Sequence, residues 1–120
     1  MRIVIDLDGT ICHLKEENQT YEDVLPVAGV KQVLEAWKSQ GHILIIQTAR
    51  NMATQGSNLG KVMKNVGKIT LDWLEKYEIP YDEIYFGKPN GHVYIDDRAL
   101  KFQNWEDLSK MDIEEVKQER

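Results

Sequence analysis

Short apolar runs that each end at a polar residue constrain what this chain can fold into. Residues 2–6 (RIVID) form the first run and residues 42–48 (HILIIQT) form the second, and both are rich in β-branched residues. Each run is too short for an ordinary helix and has the composition of a buried strand. We therefore predict two buried strands, which end near Asp6 and Thr48.

A helical pattern occupies the stretch between these two strands. Val30, Val33, Leu34 and Trp37 follow the i, i+3, i+4 and i+7 spacing of an amphipathic helix. Gly41 is well placed to end this helix, because glycine readily adopts the backbone conformation found just after a helix C-terminus.

The second half of the chain continues the alternation. A polar, glycine-bearing loop is expected over residues 49–60, and two further strands are expected over residues 83–87 (EIYFG) and 92–96 (HVYID). A helix that ends before Pro80 should precede these strands. Its apolar stripe consists of Val66, Thr70, Trp73, Leu74 and Tyr77.

The order of these elements predicts the fold class. Strands that alternate with helices indicate an α/β fold, in which a three-layer, Rossmann-like parallel sheet carries helices on both faces. The length of 120 residues suits a single domain, over residues 1–120, with one modest core. Residues 104–120 are expected to form a charged helical tail, anchored by Trp105 and Leu108.

Composition excludes several classes of protein. The 20 acidic residues outnumber the 15 basic ones, for a net charge of -5, which argues against nucleic acid as a partner. Cys12 is the only cysteine, so an intrachain disulfide is excluded. No apolar stretch approaches the roughly 20 residues of a membrane span, and Asp6 interrupts any signal-peptide pattern. We expect a cytoplasmic protein with no membrane partner.

Polar residues come at the ends of the four predicted strands. Ligands of open parallel sheets bind beyond the carboxyl ends of the strands, so these residues should meet at one edge. They are Asp6, Thr48, Lys88 and Asp96 with Asp97, and Asp8 stands one residue beyond the first strand end.

The chemistry of this edge points to a phosphoryl group and a divalent cation. Crowded carboxylates disfavour each other's ionisation, whereas a metal bound between Asp6 and Asp96 would keep them charged. An all-oxygen site suits Mg²⁺ better than zinc. A cation and a hydroxyl, from Lys88 and Thr48, fit a phosphoryl dianion. One carboxylate could then act as nucleophile and another as general acid/base.

Four segments resemble, in the same order, the motifs of the haloacid dehalogenase (HAD) superfamily. These segments are DLDGT (6–10), IIQTAR (45–50), GKP (87–89) and YIDD (94–97). The resemblance implies a phosphatase with a HAD-like fold, in which Asp6 is the nucleophile and Asp8 is the general acid/base. It also implies that Mg²⁺ is bound by Asp6, Asp96 and the backbone carbonyl of Asp8.

The same resemblance assigns the residues around the substrate. Thr48 and Lys88 would hold the phosphoryl group, and Asp97 would support Lys88 or a metal-bound water. Leu7, Ala49 and Arg50 would contact the substrate.

The chain is also similar to small phosphatases associated with bacterial capsule and polysaccharide synthesis. This similarity implies a small phosphorylated substrate such as a sugar or polyol phosphate. About 40 residues separate Asp8 from Thr48, and about 40 separate Thr48 from Lys88, which leaves no room for a cap domain. The site should be open, with residues 12–26 and 51–60 as partial lids, and a neighbouring subunit could complete the cover.

Other interpretations of these residues remain open at this point. Strand-end carboxylates can be plain surface charges, Thr48 can cap a turn, and Arg50 can simply cover apolar surface. Cys12 is expected to be a buried or half-buried thiol rather than a nucleophile. A receiver-like signalling domain or a catalytically silent phosphate-binding module are the rival functions, although a receiver should carry an aspartate at the end of a middle strand.

Overall fold

The computed structural model describes residues 1–117 of the chain. Three strands and several helical segments follow one another in the predicted order. They are β1 (Arg2–Asp6), α1 (Val30–Ser39), β2 (Ile43–Thr48), α2 (Leu59–Val62), a π-helical turn (Met63–Gly67), α3 (Lys68–Lys76), β3 (Glu83–Phe86), α4 (Trp105–Ser109) and a 3₁₀ turn (Ile113–Val116).

The strands form a parallel sheet in the order β1-β2-β3. Asp6 is paired in register with Gln47, and Thr48 is paired with Phe86, so the carboxyl ends of all three strands lie at one edge. Helices flank this sheet and residues 1–117 contain no cap domain, which confirms the predicted α/β class.

One face of the sheet carries the main hydrophobic core. Side chains alternate between the two faces of a strand, and Ile5 of β1 and Leu44 and Ile46 of β2 point into this core. The apolar side of α1 meets them with Val30, Val33, Leu34 and Trp37, which are all buried. Gly41 has a φ of 91° just after α1, as the sequence predicts for the end of this helix.

The opposite face of the sheet is only partly covered. Ile45 at its centre is buried, but Val4, Ile43 and Tyr85 around it are 59%, 40% and 53% exposed. These exposed apolar side chains share one sheet face, so they form an apolar patch rather than scattered single residues.

The helix predicted before Pro80 is present, with a longer beginning than expected. Its residues from Leu59 to Lys76 are helical throughout, and the π turn in the middle adds one residue to a helical turn. The tail is helical over α4 and the 3₁₀ turn, and Trp105 and Leu108 are buried as predicted. The end of the predicted tail, residues 118–120, lies outside the described residues.

The predicted strand over residues 92–96 is wrong for the single chain. After Gly87 the chain leaves the sheet, and residues 92–96 form no strand and are exposed. Val93 and Ile95 are 74% and 97% exposed, although β-branched residues are typical of buried strands. The pattern predicts a strand correctly only where a neighbouring strand is available, and β1 and β3 are both edge strands of the described sheet.

Within the part of the chain that the structure describes, no helix combines the length and the apolar character needed to cross a bilayer.

The packing of α1 on the sheet predicts a stability difference between two leucines. Leu34 is 0% exposed in the main core, and Leu25 is 61% exposed. Replacing Leu34 with Ala should lower the free energy of unfolding by about 2–5 kcal/mol, because it removes buried contacts and leaves a cavity. Urea denaturation checks this, with Leu25→Ala as a control that changes stability by no more than about 0.5 kcal/mol. Equal losses for the two variants would contradict the core described here.

Candidate active site

The candidate active site begins at the turn that follows β1. The backbone carbonyl of Leu7 accepts hydrogen bonds from the N–H groups of Thr10, Ile11 and Cys12, at 3.2, 2.9 and 3.1 Å. Gly9 has a φ of 86°, a left-handed conformation that favours glycine, and its N–H donates to the carbonyl of Cys12 at 2.7 Å. This closed turn fixes the directions in which the two carboxylates of the DLDGT segment leave the backbone.

Asp6 faces the side chain of Lys88 across the edge of the sheet. The Lys88 Nζ lies 3.5 Å from Asp6 Oδ1, and the two side chains are 19% and 38% exposed. Burial raises the pKa of the Asp6 carboxyl, and the positive charge of Lys88 opposes this rise. Burial and a nearby cation together set the pKa of a carboxylate, and such surroundings are common at functional sites.

Thr48 and Lys88 are joined through the backbone at the ends of β2 and β3. The Lys88 N–H donates to the Thr48 carbonyl at 3.1 Å. Thr48 is 1% exposed, and its Oγ1 accepts a hydrogen bond from the Arg50 N–H at 2.9 Å. The hydroxyl hydrogen of Thr48 is the group left to donate to a ligand. Three predicted site residues, Asp6, Thr48 and Lys88, therefore come together at one edge.

Asp8 is held by Arg50. The Arg50 Nη2 and Nε donate to the two carboxylate oxygens of Asp8, at 2.7 and 3.1 Å. The Arg50 side chain is 1% exposed and that of Asp8 is 23% exposed, so this is a bidentate ion pair at a partly buried position.

Two further residues surround the Arg50 guanidinium, and the sequence did not identify their role. Its Nη1 donates to Thr70 Oγ1 at 3.0 Å, and its central carbon lies 4.0 Å from the centre of the Tyr21 ring. The hydroxyl of Thr70 in an apolar helical stripe was a signal for such a partner, whereas nothing in the sequence marked Tyr21. The sequence predicts that Arg50 contacts the substrate. In the structure its side chain is 1% exposed and positions Asp8 instead.

The thiol of Cys12 is buried beside this ion pair. Cys12 is 0% exposed, and its Sγ lies 3.3 Å from Asp8 Oδ1. Burial and the negative charge of Asp8 raise the pKa of the Cys12 thiol to about 12. The prediction of a buried thiol is confirmed.

Leu7 and Ala49 lie beside the site, and both have apolar side chains. Leu7 is 0% exposed in the main core, and Ala49 contributes to a small cluster with Met52, Val62 and Val66. Leu7 can therefore offer a substrate only its backbone, and its N–H bonds to the Asp6 carboxylate. Their contact with a substrate stays a prediction.

The structure does not bring Asp96 to the other carboxylates. Its Oδ1 accepts a hydrogen bond from the Arg98 N–H at 2.8 Å, in the exposed segment that leaves the sheet. Among residues 1–117, no group of three or more Asp, Glu, His or Cys side chains is arranged to hold a metal ion. Within residues 1–117, the strand that should carry Asp96 to this edge does not form, and Mg²⁺ binding by Asp6, Asp96 and the backbone carbonyl of Asp8 stays a prediction. Asp97 is exposed, and its predicted support of Lys88 stays a prediction.

Comparison with known proteins identifies one close relative. No protein-family model and no curated protein matches the chain. A crystal structure of a protein from Vibrio cholerae is 38% identical, with a TM-score of 0.82, over 96% of this chain and 92% of that one. The chain belongs to the same family as this Vibrio protein.

Two more structures resemble the family over a smaller region. A chain of the Pnkp1/Rnl/Hen1 complex is 27% identical, with a TM-score of 0.51, over 78% of this chain and 30% of that one. A chain of the Pnkp1/Rnl/Hen1 RNA repair complex gives 28% identity and a TM-score of 0.50, over 77% and 27%. These similarities cover 30% and 27% of the two longer chains and agree with the HAD-like fold that the sequence motifs predict.

The surroundings of Cys12 predict low reactivity of its thiol. With 0% exposure and a pKa of about 12, almost no thiolate is accessible at pH 8. We expect iodoacetamide at pH 8 to leave the native protein unmodified for hours, whereas the protein unfolded in guanidinium chloride should react within minutes. Intact-protein mass spectrometry measures both rates. Alkylation of the native protein at the rate of the unfolded one would contradict the described turn.

Proposed function

We propose that the protein is a phosphomonoester hydrolase that acts through an aspartyl-phosphate on Asp6. The observation that carries this proposal is the group of a carboxylate, a cation and a hydroxyl at one sheet edge. Lys88 Nζ lies 3.5 Å from Asp6 Oδ1, and the Lys88 backbone is bonded to that of Thr48. A phosphoryl group needs such positioning and charge neutralisation.

In the first half of the reaction, a carboxylate oxygen of Asp6 would attack phosphorus. The new oxygen–phosphorus bond forms as the bond to the leaving oxygen breaks, and Asp8 gives that oxygen a proton. Lys88 and the hydroxyl of Thr48 would hold the phosphoryl oxygens, so that the negative charge on them is balanced as the bond changes.

In the second half, water would release phosphate from Asp6. The water oxygen bonds to phosphorus, the bond to Asp6 breaks, and Asp8 takes the proton from water. Both oxygens of Asp8 accept hydrogen bonds from Arg50, which keeps the carboxylate oriented for this transfer. We assign Arg50 the role of positioning Asp8 rather than of binding the substrate.

Mg²⁺ is the cofactor we propose for the assembled site. When bound, it would supply positive charge to the phosphoryl oxygens and to the nucleophile. Asp6 offers a carboxylate oxygen for it, but residues 1–117 of a single chain do not bring the second proposed carboxylate to this edge, because Asp96 accepts a hydrogen bond from Arg98 in the exposed segment.

A small phosphorylated metabolite, such as a sugar or polyol phosphate, is the proposed substrate class. The edge of the sheet is open, since no cap domain within the described residues covers it. One similar chain comes from an RNA repair complex, which makes phosphorylated RNA a useful comparison substrate, but a net charge of -5 disfavours polyanions. Nothing in the structure or the comparisons supports a role in capsule synthesis, and we propose only the class of substrate.

The rival of a receiver-like domain is less consistent with the observed sheet. A receiver should carry its phosphoacceptor at the end of a middle strand, and the middle strand β2 ends at Thr48. The candidate carboxylate, Asp6, instead ends the edge strand β1. Turnover of a phosphomonoester would separate an enzyme from this rival and from a silent binding module.

The proposed nucleophile predicts the effect of one substitution. Asp6→Asn should lower the hydrolysis of p-nitrophenyl phosphate by at least about a thousandfold, because a lost nucleophile typically costs several orders of magnitude. Phosphate release with Mg²⁺, and again with excess EDTA, measures this. The matched control is Asp72→Asn, which removes an exposed carboxylate paired only with Lys68 on a helix. More than about a hundredth of the activity left in Asp6→Asn, or full activity in EDTA, would refute the proposed chemistry.

The role of Arg50 predicts a loss that does not depend on the substrate. Arg50→Ala should lower kcat about tenfold or more for sugar phosphates and for p-nitrophenyl phosphate alike, because Asp8 loses the two hydrogen bonds that Arg50 donates to it. Arg50→Lys should recover little of this, since an ammonium cannot reproduce the bidentate fork. A rise in KM for the sugar phosphate alone, with kcat unchanged, would return Arg50 to the role of a substrate ligand.

A further inference from the structure

We propose that residues 92–96 of one copy pair with the open edge of β1 in a second copy, and that this exchange delivers Asp96 to the partner's site. The first part concerns assembly and stands on exposed backbone and apolar surface. The second part, the completion of a metal site, rests on the proposed function.

The edge of β1 is available for another strand. The sheet order is β1-β2-β3, so β1 has a neighbour on one side only. No described strand pairs with its other side, and Val4, whose side chain lies on the open face of the sheet, is 59% exposed. An edge strand of this kind presents unpaired N–H and C=O groups in a row, which favour pairing with a further strand.

Residues 92–96 have the character of a strand without a neighbour. Val93, Tyr94 and Ile95 are 74%, 51% and 97% exposed, and they are apolar residues with high strand propensity. Residues 92–95 form no backbone–backbone hydrogen bond to any other residue in the range 1–117. An open strand edge and an unpaired strand-like segment thus occur in the same chain.

The chain is anchored to its own fold both before and after this segment. On one side, the Lys88 N–H is bonded to the Thr48 carbonyl at 3.1 Å. On the other side, Trp105 is 1% exposed, stacks edge-on against Trp37 at 5.8 Å, and its Nε1 donates to the Thr10 carbonyl at 2.8 Å. The segment between them projects from a folded chain rather than from a frayed end.

A second copy of the chain would pair both the open edge of β1 and residues 92–96. Two copies related by a two-fold axis would exchange residues 92–96 reciprocally, so that each open edge gains a strand and the assembly closes at two. The exposed Val4, Ile43 and Tyr85 would lie near the same contact, which gives the copies apolar surface to bury. Pro89, Asn90 and Gly91, between the anchored Lys88 and the segment, would serve as the hinge.

The exchange would also complete the group of carboxylates. If the added strand runs parallel to β1, as the other strands do, Asp96 at its end lies at the same edge as Asp6. Each site would then combine Asp6 and Asp8 of one copy with Asp96 of the other. This is the oxygen-rich set that a single chain lacks and that suits Mg²⁺.

The assembly is tested first without any activity measurement. Light scattering of the wild-type protein should give about twice the 13.9 kDa of one chain. Val4→Cys combined in turn with Val93→Cys, Tyr94→Cys or Ile95→Cys should give, for at least one pair, a disulfide-linked dimer on a non-reducing gel. Each single variant is the control and should stay largely unlinked. A monomeric mass, or disulfides that form within one chain, would overturn the proposed exchange.

The shared site is tested by mixing two inactive variants. Asp6→Asn and Asp96→Asn should each be inactive, but a mixture that is unfolded and refolded together should recover about a quarter of the wild-type activity. Half of the dimers would then be mixed, and one of their two sites would combine an intact Asp6 with an intact Asp96. An inactive mixture beside an active wild type would overturn the shared site.

The two experiments keep the two proposals apart. Cross-linked dimers of a wild-type protein that hydrolyses no phosphomonoester would support the exchange and refute the proposed function. A monomer that is fully active and needs Mg²⁺ would support the function and refute the exchange. Isothermal titration of Mg²⁺ gives a further readout, since Asp96→Asn should weaken binding at least tenfold in a dimer whose mass is unchanged.

Discussion

Two carboxylates one residue apart, at the end of β1, have to be compensated by cations from other parts of the chain. Like charges this close repel each other, and more strongly where water is scarce. The structure compensates them separately: Lys88 approaches Asp6 at 3.5 Å, and Arg50 binds Asp8 at 2.7 Å. Lys88 follows β3 and Arg50 follows β2. The parallel sheet therefore brings both cations to the edge where the two carboxylates lie.

The two compensating contacts differ in character, and this difference separates the two roles. Arg50 is almost fully buried and makes charge-assisted hydrogen bonds to both Asp8 oxygens, with Thr70 taking another of its donors. None of the buried side-chain nitrogen and oxygen atoms in residues 1–117 lacks a hydrogen-bond partner, so this network is saturated. Lys88 instead makes one ion pair with Asp6, at 3.5 Å, and its Nζ also lies 4.2 Å from the centre of the Tyr94 ring.

Local sequence patterns predicted the parts of the fold that depend on nearest neighbours. The strand ends at Asp6 and Thr48 and the buried stripe of α1 follow from periodicity and from short apolar runs, because each element buries its own apolar side. The pairing of Arg50 with Asp8 could not be predicted, since it joins residues 42 positions apart through the geometry of the folded sheet. The contact with Tyr21 depends in the same way on the path of a long loop.

The segment 92–96 shows where a correct pattern gives a wrong structure. Its alternation of apolar residues is that of a strand, but a strand also needs a partner, and the pattern does not say on which chain the partner lies. Asp96 is the last residue of this segment, so residues 1–117 of one chain do not gather it with Asp6 and Asp8. The predicted site residues are therefore all present in the sequence, while the described part of one folded chain brings together only some of them.

The most direct measurement of the central claim is a crystal structure of the protein with Mg²⁺ and beryllium fluoride, which forms a stable adduct with a nucleophilic carboxylate. The account predicts a beryllium–oxygen bond to Asp6, with the fluorines contacting Lys88 and the hydroxyl of Thr48. It is contradicted by a structure in which Asp6 is unmodified at saturating fluoride, or in which the adduct forms on a different side chain.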